Sequence, residues 1–257
     1  MNKMRLPQLL PGGIALASLI LLPFATPASA QVTEIVEAFN NATVQPGGPR
    51  SGGSGKNFFN IEGNGLGIFA SFGVADFDVD DFNFGFTVAD VTAISIDFAN
   101  APAGFSADGP IGFYLASATG VSIEPDNTNL TYQSGNNGAA SVDSDLGDLF
   151  FLGTATYTND GTAGTVFSYV LNPTAAAETY LISQLNTPDA VLRLVVTPES
   201  DTVAATYAGF SNNTNAGPTF IITAVGAGNG AAAPEPGTLA LIGLGLVVFR
   251  RFRSRKP

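Results

Sequence analysis

The apolar residues of this chain come in short runs, and nearly every run between residues 57 and 225 is stopped by Gly, Asn, Asp or Pro. Runs of about four to eight residues between such turn formers leave no room for long helices and force frequent chain reversal. Ile94, Ile96 and Phe98 alternate with Ser95 and Asp97, and Phe59 and Ile61 alternate with Phe58, Asn60 and Glu62. Both patterns have the period of two that puts one strand face in a core. Leu149–Leu152 is apolar without a break and predicts a strand buried on both faces. Thr154–Tyr157 and Val166–Val170 flank Asn159-Asp160-Gly161, which predicts a hairpin with a somewhat long loop. Ala190–Thr197, Thr202–Ala208 and Thr219–Val225 supply three more strands. Only Ala175–Leu185 is Ala-rich with Tyr180, Leu181 and Leu185 near one face, as a helix requires. The expectation is a mainly β domain over residues 31–225: an antiparallel β-sandwich, jelly-roll-like, with one short helix. Residues 40–56 and 226–233 are rich in Gly, Asn, Pro or Ala and predict a surface loop and a flexible spacer.

Charge narrows the function. The chain has 21 acids and 10 cations, but residues 31–233 hold 20 of the acids and only Arg50, Lys56 and Arg193. That segment therefore carries a net −17, which repels a phosphate backbone and argues against nucleic-acid binding. There is no Cys, His or Trp. Disulfides, thiolate or imidazole metal sites and His-dependent triads are excluded with them.

The remaining cations sit at the two ends. Lys3 and Arg5 precede an apolar run, Ile14–Leu22, and then Ala28-Ser29-Ala30. Cationic, apolar and small-residue regions in that order make a secretory signal over residues 1–30, cut by signal peptidase after Ala30 and before Gln31. At the other end, Pro234-Glu235-Pro236 leads into an apolar stretch, residues 238–249, and then Arg250, Arg251, Arg253, Arg255 and Lys256. Twelve helical residues span roughly 18 Å, so the helix crosses a ~30 Å core only with snorkelling arginines and local thinning. The cationic cluster stays cytoplasmic, which leaves the acidic middle outside. Two prolines hold 234–236 extended, the backbone form that a protease cleft binds, and Glu235 keeps the motif out of the lipid.

This three-part tail, over about residues 233–257, resembles the PEP-CTERM sorting domain of Gram-negative bacteria. The resemblance implies recognition by an exosortase, a membrane-embedded cysteine-type enzyme that cuts near the motif, and a setting of exopolysaccharide and biofilm production. The expected product is a non-catalytic surface or matrix protein, transiently held in the inner membrane. Extracellular polysaccharide is a candidate partner, and a carbohydrate-binding module on the same sandwich is the alternative. A glycoside-acting enzyme is a third reading, since two carboxylates suffice for that chemistry.

One acidic cluster invites a metal. Asp76, Asp78 and Asp80 would share one face of a strand, with Asp81 beside them. Carboxylates about 7 Å apart repel one another, and a Ca²⁺ would relieve this; the alternative is a solvated face that ends in a turn or bulge near Asp80-Asp81. Asp143–Asp148 fails the EF-hand pattern, because Gly147 and Asp148 stand where Asp/Asn and Gly belong.

Overall fold

The computed structural model of the protein describes residues 31–101, 106–124 and 127–227. The expected signal, most of the 226–233 spacer, the sorting tail and the apolar segment 238–249 lie outside the described residues. Among the described residues no helix is long and apolar enough to cross a membrane.

All strand pairs are antiparallel. In chain order the elements are β1 (Gln31–Glu37), β2 (Asn40–Gln45), β3 (Gly48–Pro49), α1 (Gly52–Asn57), β4 (Phe58–Glu62), β5 (Phe72–Asp78), β6 (Val88–Ala99) and β7 (Gly109–Ala116). β8 (Leu149–Tyr157), β9 (Val166–Leu171), α2 (Ala175–Leu185), β10 (Val191–Pro198), β11 (Ala204–Ala208) and β12 (Thr219–Gly226) follow. One sheet runs β1-β12-β6-β9 and the other β3-β2-β5-β10-β7-β8, with β11-β4 as a separate pair. Setting aside the β2–β3 extension and the β11–β4 pair leaves eight strands. Numbered by chain order, they read 1-8-3-6 in one sheet and 2-7-4-5 in the other. That interleaving is the double Greek key of a jelly roll.

The same topology corrects the expected hairpin. β8 pairs with β7 in the larger sheet, whereas β9 pairs with β6 in the smaller one. Asn159-Asp160-Gly161 does turn the chain: Asn159 Oδ1 accepts from Gly161 N at 3.0 Å, and Asp160 Oδ1 accepts from Thr162 N at 2.9 Å. The turn is a corner between sheets, anchored by Asn100 Nδ2 on Asp160 Oδ1 at 3.0 Å. The helix Ala175–Leu185 is present with its expected bounds, and Thr174 caps it through the amide of Ala177.

Residues 40–56 are not a loop. Asn40–Gln45 forms β2 against β5, and Gly52–Asn57 is a short helix. Ala42 and Val44 of β2 enter a core, and the polar side chains of the strand are bonded on its other face. Thr43 Oγ1 accepts from Asn60 N at 3.0 Å, Asn41 Oδ1 accepts from Phe210 N at 2.7 Å, and Asn41 Nδ2 donates to Phe58 O at 3.1 Å. Buried amides and carbonyls that would lack partners are thereby satisfied.

Two cores result. Between the sheets pack Ile94, Ile96, Phe98, Phe220 and Ile222 from one side and Phe77, Phe113, Leu115, Leu192 and Leu194 from the other. The second core lies on the opposite face of the larger sheet. There Phe72, Val74, Tyr114 and Val195 are covered by Ile123, Leu130, Tyr132, Val142 and Leu146 of the long β7–β8 connection, residues 117–148.

Candidate functional site

The sequence directs attention to the two ends of the domain. β1 starts at Gln31 and runs antiparallel to β12, with Gln31 opposite Val225 and Val32 opposite Ala224. Gln31 Nε2 donates to Thr92 Oγ1 at 2.6 Å, and the Thr33 and Thr223 hydroxyls meet at 2.9 Å. Beyond β12, Ala227 N donates to Thr87 O at 2.9 Å. A Cβ on Gly226 would lie 2.9 Å from the Phe86 ring, so the strand end is closely packed. The first and last strands thus lie side by side, and both chain extensions leave from one corner. Six residues, and so seven Cα–Cα steps, separate Ala227 from Pro234. At ~3.5 Å each they put the motif no more than about 25 Å from that corner.

The model of the PEP-CTERM protein-sorting motif matches residues 232–256. The chain carries a PEP-CTERM sorting motif. It implies exosortase recognition, export and membrane-anchored sorting. Comparison with curated proteins gives no match. Pro234, Glu235 and Pro236, the anchor residues Arg250, Arg251, Arg253, Arg255 and Lys256, and Ala28 and Ala30 lie outside the described residues; Gln31 is the first residue of β1.

The acidic cluster is dispersed by the fold. Asp76 turns toward the second core and is buried against Arg193: Nε to Oδ1 is 2.7 Å and Nη2 to Oδ2 is 2.8 Å. Arg193 Nη1 also donates to Ala118 O and Val121 O, both at 2.8 Å. Asp78 Oδ1 accepts from Asp80 N at 3.0 Å and so caps a short 3₁₀ turn over Val79–Asp81, the break in strand phase expected near Asp80-Asp81. Asp80 Oδ1 accepts from Asp189 N at 3.3 Å, and Asp81 is exposed. Asp76 is therefore on no solvated face. Among the described residues no three acids converge on a common cation position.

Burial pushes the Asp76 carboxyl up, with the Arg193 guanidinium opposing. Burial also raises Glu62 on β4, against hydrogen bonds from Asn60 and Ser71 and the nearby charge of Arg50. Asn60 Nδ2 reaches Glu62 Oε1 at 3.0 Å, and Ser71 Oγ reaches Oε2 at 3.4 Å. Sequence reading missed the Asp76–Arg193 pair, although a signal existed. Arg193 interrupts Val-Leu-x-Leu-Val-Val and Asp76 interrupts Val-Ala-x-Phe, and a charge inside a strand that is apolar on both faces needs a partner.

The tyrosines point inward. Tyr114, Tyr132, Tyr157, Tyr169 and Tyr207 are buried, and Tyr180 stacks on Phe150 with ring centroids 4.2 Å apart. The Tyr169 and Tyr207 hydroxyls meet at 2.6 Å, and burial pushes Tyr169 up to about 12.

Proposed function

We propose that the protein is a non-catalytic surface or matrix component whose jelly roll is the displayed part and whose ends are processing handles. The adjacency of Gln31 to Val225 carries this reading. With signal and tail rooted at one corner, both reach the same membrane while the sandwich stands clear of it. Cutting before Gln31 and near Pro234 removes no strand among the described residues, where β1 begins at Gln31 and β12 ends at Gly226. Contact with extracellular polysaccharide belongs to the same proposal.

A display role is favoured over sugar stacking by the inward tyrosines, which leave Phe39 and Phe69 as the exposed aromatic rings among the described residues. Flat exposed rings are what a saccharide platform needs, and the larger sheet is covered on its outer face by residues 117–148. The test is replacement of Pro234-Glu235-Pro236 by alanines in the native host, read by membrane fractionation and by mass spectrometry of both termini. The variant is expected to keep its C-terminus and stay in the inner membrane. Normal processing would sink the sorting reading, and saturable, sugar-competed binding of the purified protein on a glycan array would replace display with carbohydrate binding.

A further inference from the structure

The described domain has three cations, and two are committed. Arg193 is buried on Asp76, and Lys56 Nζ lies 2.7 Å from Glu124 Oε1 and over the Phe210 ring. Arg50 has no carboxylate within ion-pair distance among the described residues. It lines an open cavity of about 570 Å³ together with Gln45, Pro46, Pro49, Ser51 and Ile68. That volume lies within the range of ordinary small-ligand sites.

The walls are fixed to the framework. Arg50 N donates to Thr43 O at 2.9 Å, and Tyr132 N donates to Gln45 O at 3.0 Å. Gln45 Nε2 is spent on Phe69 O at 3.4 Å. The lining then offers the Arg50 guanidinium, whose charge also acts on Glu62, the Ser51 hydroxyl, the Gly47–Gly48 backbone and an apolar rim of two prolines and Ile68, which is 77% exposed.

We propose that this cavity takes the C-terminal carboxylate of a peptide whose last side chain is apolar. A single guanidinium matches one carboxylate through two parallel hydrogen bonds. A phosphate dianion would call for more than one cation in a segment of net −17. A sugar acid would use the polar part of the lining, Gln45, Gly47, Gly48 and Ser51, but would leave Ile68 uncovered. An apolar side chain beside the carboxylate covers Ile68 and needs no further polar partner.

The mature protein, purified from its host, is titrated calorimetrically with N-acetyl-Gly-Leu, with the C-terminal amide of that peptide, and with trigalacturonate. The free acid is expected to bind saturably, and the amide about tenfold more weakly, since a charge-assisted bidentate contact is lost. Arg50→Gln is expected to lose about as much as the amide does. Arg50→Lys is expected to fall between, because it keeps charge without the fork. Ile68→Ser guards against a folding defect in the Arg50 variants: its melting temperature should stay unchanged while acid binding weakens several-fold. Equal binding of acid and amide, wild-type affinity in Arg50→Gln, or no saturation at millimolar peptide would each overturn the proposal. Binding of trigalacturonate without the peptide would overturn it in favour of a sugar acid.

Discussion

Arg193→Met is the perturbation that most directly probes how the β7–β8 connection is held. The substitution keeps an apolar stem of similar reach and deletes four charge-assisted hydrogen bonds, two to Asp76 and two to the carbonyls of Ala118 and Val121. It strands a buried carboxylate, and breaking one half of a buried pair costs about 3–5 kcal/mol. Against a total stability of about 5–15 kcal/mol that is a large fraction. At a urea slope of about 2 kcal/mol per molar, the midpoint should fall by roughly 2 M. The double variant Asp76→Leu/Arg193→Met tests the same logic from the other side. No charge is then left in the site, and only the two carbonyls lose donors, at about 1–3 kcal/mol. It should therefore be more stable than Arg193→Met alone. Urea denaturation followed by fluorescence gives the energies, and limited proteolysis reads residues 117–148, which should be cut faster in the single variant. A single variant within about 1 kcal/mol of wild type would refute the reasoning; so would strict additivity of the Asp76→Leu and Arg193→Met effects.

Two other outcomes follow from the buried acids. Glu62 has a raised folded pKa, so the stability it contributes is complete below its ordinary value of 4.5 and is lost as pH rises through the elevated folded value. Asp76 acts in the same direction. The melting temperature should fall as pH rises from about 4 to 7, and Glu62→Gln should flatten that slope without abolishing it; a wild-type slope in the variant would contradict this. Because Asp76 is held by Arg193 and Asp78 caps its own turn, millimolar Ca²⁺ is expected to leave the melting temperature unchanged, and a clear rise would restore a cation site at Asp76–Asp81.

Strands with one solvated face were legible in the sequence. β6 shows this best: Ile94, Ile96 and Phe98 face the core between the sheets, and Ser95 and Asp97 face out. β10 was legible as a strand, but not as one sandwiched between two cores, because a continuous apolar run does not say what lies on each side. β2 was hidden because only Ala42 and Val44 mark its period of two, and its other face is polar, with Asn41 and Thr43 bonded to β4 and to Phe210. The false hairpin at 158–165 had correct turn chemistry. Local residues specify that the chain bends, whereas partner choice depends on strands far away in sequence. The sorting motif was legible because it is a linear signal of composition and order. The Asp76–Arg193 pair, 117 residues apart, was not.

The topology also bears on why a chain of this fold would be held by its C-terminus. β12 lies between β1 and β6, so the smaller sheet has a gap at its centre until residues 219–226 arrive. The Thr33–Thr223 contact that helps close it joins residues 190 apart. Pairing at such separation is slow, and an open sheet meanwhile exposes unpaired backbone and the core face of β6. In a chain sorted by a tail that starts about 25 Å or less beyond β12, the last strand reaches the outer side just before the membrane-held segment does. On the proposed sorting route, a held tail would keep the nascent domain apart from other copies while the sheet closes, and the acidity of the domain would add repulsion between copies that are still open. A cut near Pro234 on that route would then free a domain whose β1 and β12 are already paired.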